Sequence, residues 1–167
     1  ETTGLTPGRD EVLQVSACNG EGTILLNAYV RPPTRKRWPK AQEVHGITWQ
    51  MVRDQPSFEE YADALFLITQ ECELLVGYNI EFDLSMLESE GLRITGDVRN
   101  KCYDLMHDCS VLYGTCSENY GEYRYISLTK AARTYGIEYE PHKADSDVQA
   151  TAAVLRALLS DPKLERE

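Results

Sequence analysis

Long apolar runs are missing from this chain of 167 residues, and no signal-peptide pattern opens it. A membrane partner is therefore not expected. Paired cysteines are missing too. The five thiols, Cys18, Cys72, Cys102, Cys109 and Cys116, form no Cys-x-x-Cys unit. That argues against a zinc site built from Cys102, His107, Cys109 and Cys116. The odd count reads as reduced thiols in a cytoplasmic protein. No Gly-x-Ser-x-Gly elbow is present, which removes the common serine-hydrolase arrangement. Positive charge is scarce: 17 Lys and Arg face 27 Asp and Glu, for a net charge of −10. Tight nonspecific nucleic-acid binding by the whole surface is excluded on that balance, whereas a local site carried by metal ions is not. Repeats and low-complexity tracts are absent, and residues 1–167 read as one domain.

The periodicities present describe an α/β chain. Val12, Leu13, Val15 and Ala17 predict a strand, and Asn19-Gly20-Glu21-Gly22 predicts a hairpin turn into a second strand over residues 23–30. Residues 31–40 read as a loop because Pro32, Pro33 and Pro39 interrupt them. Ser57 with Glu60 marks a helix start whose buried stripe is Phe58, Ala62, Leu65 and Thr69, flanked by Tyr61 and Ile68. The apolar run at 74–78 suits a strand covered on both faces. Asn79 is positioned to cap a helix that Gly91 ends. A strand near 100–103, helices over 104–113 and 127–135, and a long helix over 144–159 complete the pattern. Strands first, then alternating helix and strand, imply a mixed sheet flanked by helices. Residues 115–125 read as a tyrosine-containing loop, and residues 161–167 as a frayed charged tail.

Two aspartates sit where apolar residues belong. Asp147 heads the row Asp147, Thr151, Val154 and Leu158 on the last helix, while Asp145 aligns with the polar Gln149 and Arg156. Asp83 shares a helix face with Met86 and Leu87. A carboxylate on an apolar stripe costs several kcal/mol unless paired, hydrogen-bonded or metal-bound. A dipole-stabilising position near a helix N-terminus is the plainer reading of each. His142, five residues before Asp147, is a candidate general base because imidazole changes charge near neutral pH.

These pieces resemble the DEDDh, or DnaQ-like, family of 3′→5′ exonucleases, which includes polymerase proofreading domains. Glu1-Thr2-Thr3-Gly4-Leu5 matches the family's first motif from its Glu onward. Residues 77–83, Gly-Tyr-Asn-Ile-Glu-Phe-Asp, match the second, with Tyr78 where many members have His. His142-Lys143-Ala144-Asp145-Ser146-Asp147 matches the third, Val44-His45-Gly46-Ile47-Thr48 a further common segment, and Tyr103-Asp104-Leu105 stands where members often carry Asp-Thr-Leu.

The resemblance implies a ribonuclease H-like fold with a mixed five-stranded sheet. It implies two Mg²⁺ or Mn²⁺ ions held by Glu1, Asp83 and Asp147, with His142 as general base. A fourth carboxylate, two residues before Glu1, is expected on a central first strand that precedes the sequence; without that strand the sheet would expose two inner edges. Thr2, Thr3, Leu5, His45, Gly46, Ile47, Asn79 and Phe82 fall where members bind the terminal nucleotide. For His45 to Thr48, a capped turn before a helix is an equal reading. The expected function is metal-dependent 3′→5′ removal of mononucleotides from single-stranded DNA ends, in proofreading or repair. A DNA polymerase subunit is a conceivable partner. An exoribonuclease, or a non-catalytic nucleic-acid-binding or docking module on the same fold, is the alternative. Arg31, Arg35, Lys36, Arg37 and Lys40 surround Trp38 on one loop. A solvated loop is the plain expectation there; a phosphate track with Trp38 stacking a base is the functional one.

Overall fold

The computed structural model describes residues 1–115 and 124–164. Its first unit is the hairpin of β1 (Gln14–Cys18) and β2 (Ile24–Tyr29), antiparallel, with Gln14 opposite Tyr29 and Ser16 opposite Asn27. The turn closes because Asn19 Oδ1 accepts the N–H groups of Glu21 (3.1 Å) and Thr23 (2.9 Å). One face of the hairpin is apolar. Val15 and Val30 are buried with Val12, Phe58, Leu65, Met86 and Leu92 in the first core.

Three short helices lie in the connections: α1 (Pro39–His45) and, further on, α5 (Gly96–Asn100), both missed by the sequence reading, and α2 (Trp49–Val52), which the capped-turn reading of residues 45–48 anticipates. Each is seven residues or shorter, too brief for a helical periodicity to show. Pro39, taken for a breaker, stands in the first turn of α1, where its missing N–H costs nothing. The helix α3 (Glu59–Glu71) buries Leu65 and Thr69 as its stripe predicts. Glu60 reaches back to the Ser57 N–H (3.2 Å), but Ser57 itself makes no side-chain cap.

The second unit is parallel. β3 (Leu75–Gly77) pairs with β4 (Cys102–Asp104), and α4 (Ile80–Ser89) crosses between them together with α5. β3 is half-buried rather than fully covered. The turn from β3 into α4 is so tight that a Cβ on Gly77 would stand 2.7 Å from the Ile80 Cβ. Asn79 absorbs the reversal at φ 69°, in the left-handed region that Asn tolerates. After β4 come α6 (Leu105–Tyr113), α7 (Leu128–Thr134) and α8 (Ala144–Leu159). They enclose a second core of Leu105, Cys109, Ile126, Ala131, Ala132, Val154 and Leu158. Ser127 caps α7 by accepting the Lys130 N–H.

The expected single five-stranded sheet is not what the described residues form. Four strands make two separate two-stranded sheets, joined by no ladder. Thr2 bridges to Val12, so residues 1–3 lie along the start of β1, yet none of them pairs with β3. Asp161, expected in the tail, is held by the hydroxyls of Tyr113 and Tyr135. Cys116, Tyr120 and Tyr123 of the tyrosine loop lie outside the described residues, and Tyr125 is exposed. No helix among the described residues is long and apolar enough to cross a membrane.

Candidate active site

Three segments bring the acidic residues to one end of the two sheets. The backbone of Glu1 pairs with β1: its carbonyl accepts the Leu13 N–H (2.8 Å) and its nitrogen donates to the Gln14 carbonyl (2.7 Å). Asp83 lies in the first turn of α4, just past the C-terminal end of β3. Asp147 lies in the first turn of α8, where its backbone N–H donates to the Lys143 carbonyl (2.8 Å).

The charge of Glu1 reaches both aspartates. Asp147 is half-buried, and its pKa is pushed up to about 6, first by burial and then by the charge of Glu1. His142 opposes that shift through its charge and its backbone N–H. Asp83 is also pushed up to about 6, chiefly by desolvation, with Asp104 and Glu1 adding to it and the Glu1 α-ammonium opposing. The Asp83 side chain nevertheless presents exposed area. It is set among protein mass but open on one side, a placement that disfavours a lone negative charge and leaves room for a ligand. The sequence expectation of an Asp83 covered by its apolar face is corrected to that extent. Among the described residues no three His, Cys, Asp or Glu side chains form a ready metal cage.

Two histidines line a pocket of about 410 Å³ beside these acids. His142 is exposed, on a residue at φ 63°. His45 is half-buried at the C-terminal end of α1. Its Nδ1 accepts the Ile47 N–H (3.0 Å), so the proton sits on Nε2, which donates to the Thr2 carbonyl (3.2 Å). Burial lowers the His45 pKa and keeps that neutral tautomer.

The expected nucleotide-contacting residues divide. Leu5 is 82% exposed and free to act as an apolar wedge. Gly46 ends α1 at φ 74°, and Asn79 is exposed at the head of α4. The Thr2 hydroxyl is already engaged with the Gly4 carbonyl (2.6 Å) and that of Thr3 with the Glu11 N–H (2.9 Å). Phe82 packs against the first core. Ile47 is buried with Leu13, Trp38 and Val52 in a third core. Thr48 precedes α2 as its N-cap residue, in agreement with the capped-turn reading.

The basic loop departs from its functional expectation at the centre. Trp38 is 3% exposed and donates to the Ile47 carbonyl (2.7 Å), so it cannot stack a base. Arg35 is committed to Asp10 (3.0 Å), and the Thr34 and Arg35 N–H groups are held by Glu11. The cations left exposed are Arg31, Lys36, Arg37 and Lys40. Gly4 matters in the same region: a Cβ there would stand 2.5 Å from Asp10 Oδ2, so the first motif needs glycine for close approach. A thiol nucleophile finds no support, since burial pushes the Cys109 thiol up to about 11.

One contributor was missed. Asp104 Oδ1 accepts both the Asn79 N–H (2.9 Å) and the Met106 N–H (3.0 Å). It thereby ties the turn that carries Asp83 to the end of β4 and caps α6. Its place in Tyr103-Asp104-Leu105 was a visible signal, but a clamp between two distant turns has no local sequence pattern.

A family model described as "Exonuclease" (RNase_T) matches residues 1–155. The chain is 28% identical to the 3′-5′ exonuclease DinG of Bacillus subtilis (strain 168), over 95% of its own length and 17% of that protein. It is 27% identical to a DNA polymerase III of PolC type from Thermotoga maritima, over 92% of its length and 11% of that protein. It thus spans a small part of either relative. The fold is similar to that of exonuclease X solved with 5′-overhanging duplex DNA, with a TM-score of 0.69, 23% identity, and 98% of this chain and 89% of that one covered. The match over residues 1–155 places the chain in the DEDDh, or DnaQ-like, exonuclease family.

Proposed function

We propose that this chain is a 3′→5′ exonuclease domain that releases mononucleotides from single-stranded DNA ends by metal-dependent phosphodiester hydrolysis. The observation that carries the reading is that the charge of Glu1 reaches both Asp83 and Asp147, while His142 lies against Asp147 and lines one open pocket. DNA is placed ahead of RNA because the matched relatives include a DNA polymerase and a nuclease seen on DNA. Association with a polymerase is part of the proposal on the same ground. A cytoplasmic setting accords with the free thiols of Cys18, Cys72, Cys102 and Cys109.

The donor set fits hard divalent cations. Glu1, Asp83 and Asp147 offer only oxygen, and two of the three have pKa values raised to about 6, a cost that neighbouring positive charge removes. These three residues would hold Mg²⁺ or Mn²⁺. Bound ions of this kind neutralise charge on the phosphodiester and ease deprotonation of water. The chain's own groups do the rest. His142 takes the proton of the attacking water on a ring nitrogen, and Asp147, beside it, stabilises the imidazolium that results. Leu5 offers the apolar surface that parts the terminal base from its neighbour. His45 holds the Thr2 carbonyl in place from the opposite wall. The single five-stranded sheet belongs to the same proposal.

The test is the intact protein with 5′-labelled single-stranded DNA and RNA in Mg²⁺, Mn²⁺ or EDTA. A ladder shortening by single nucleotides from the 3′ end, faster on DNA and abolished by EDTA, is expected. Binding without cleavage would favour the docking-module alternative. Cleavage that survives EDTA would overturn the metal-dependent chemistry.

A further inference from the structure

The hairpin's second face is polar, and at Gln14 it does not look into open water. Gln14 and Asn27 project from it into the pocket, together with Tyr29, which is directly opposite Gln14. The α1–α2 connection and the loop before α8 close the pocket's sides through His45 and His142. A hairpin face with this alternation ordinarily meets solvent. Here Gln14 is 7% exposed.

The two amides make one bond to each other: Gln14 Nε2 donates to Asn27 Oδ1 at 2.9 Å. That bond fixes both planes. Among the described residues, Gln14 Oε1 and Asn27 Nδ2 have no protein partner, and no fully buried side-chain polar atom lacks one. Gln14 Oε1 therefore keeps accessible area on a buried residue, Asn27 Nδ2 is unpaired on an exposed one, and both residues line the pocket. The result is an acceptor beside a donor, next to an aromatic ring, within the size range of small-ligand sites. A nucleobase edge offers the complementary pattern, and amide side chains are among the groups that read it in paired fashion. The Tyr29 ring adds a face on which a base can stack.

We propose that Gln14 and Asn27 form a base-reading element, so that the enzyme removes nucleotides at rates set by the identity of a base at the 3′ end. This rests on the exonuclease reading above. Its partner chemistry is a nucleobase edge with an amino donor beside a ring acceptor, the pattern that adenine and cytosine present and thymine does not.

The test uses the intact protein and its Gln14→Met and Asn27→Asp variants. Substrates are 5′-labelled single strands that differ only in the last two bases, in Mn²⁺. Binding of the four deoxynucleoside 5′-monophosphates by calorimetry gives a readout independent of cleavage. Adenine and cytosine are expected to be preferred over thymine by about tenfold in kcat/KM, carried by KM. Gln14→Met should bring that ratio below about threefold while leaving kcat nearly unchanged. Asn27→Asp, at an exposed position, should leave the melting temperature alone and bring the ratio below about threefold, because it removes the amide donor that faces the ring acceptor. Equal handling of all four bases by the natural protein, or variants that keep its ranking or weaken every base alike, would overturn the inference. Cleavage without ranking sinks this proposal only. If no strand is shortened, the exonuclease reading fails, and the monophosphates still decide whether the amides discriminate.

Discussion

The two histidine-bearing walls of the pocket differ in how much freedom they keep. His45 has both ring nitrogens engaged, a lowered pKa and a place between Ile47 and Thr2. His142 is exposed on a left-handed residue, and its backbone N–H supports Asp147. One imidazole is a fastener; the other is available to exchange a proton. On the proposed reading, the less constrained wall hosts the base and the constrained wall gives the substrate a fixed surface.

That contrast can be broken by substitution. His142→Asn preserves a residue type that accepts positive φ and removes the imidazole. It should lower kcat by about 10² to 10⁴-fold while leaving the melting temperature unchanged, as read by rate and thermal unfolding together. Metal and pH come next. Both Asp83 and Asp147 have folded pKa values of about 6, above the ordinary aspartate value. Folding therefore favours their protonated forms, and without metal stability should fall as pH rises from about 4 to about 6. Mn²⁺ at about a hundred times its Kd should restore about 2.7 kcal/mol at pH 7.5, several degrees in melting temperature. The gain should shrink at pH 5, where the carboxyls hold protons. An equal gain at both pH values would detach these two residues from the metal. The smallest effect is expected at His45. His45→Ala removes two hydrogen bonds, each worth about 1 kcal/mol, and should lower the melting temperature and raise KM with kcat held within a few-fold. A His45→Ala enzyme that melts normally but loses kcat as far as His142→Asn would erase the distinction between the walls.

Much of this was legible beforehand where a pattern repeats locally. The α8 span from Ala144 to Leu159 follows directly from its apolar rows, and Asp147 heads the buried one with Thr151, Val154 and Leu158 inside. The hairpin was legible because Asn19 and its glycines punctuate it. The short helices α1 and α5 were not, because fewer than two turns leave no period to detect, and α2 showed only through the capped turn before it. Trp38 was misjudged because its loop is rich in cations; burial depends on Ile47, nine residues away, whose carbonyl it reaches. The paired amides of Gln14 and Asn27 were invisible for a related reason. Their meeting depends on strand register, and single residues do not announce register.

Gly77 connects the fold to all of this through the absence of one methyl group. Ile80 occupies the space that any larger residue would need at that turn. The first turn of α4 is thereby set hard against the end of β3, and Asp83 with it. A side chain at position 77 would act as a shim, lifting the helix and its carboxylate away from Glu1 and Asp147 without touching any of them.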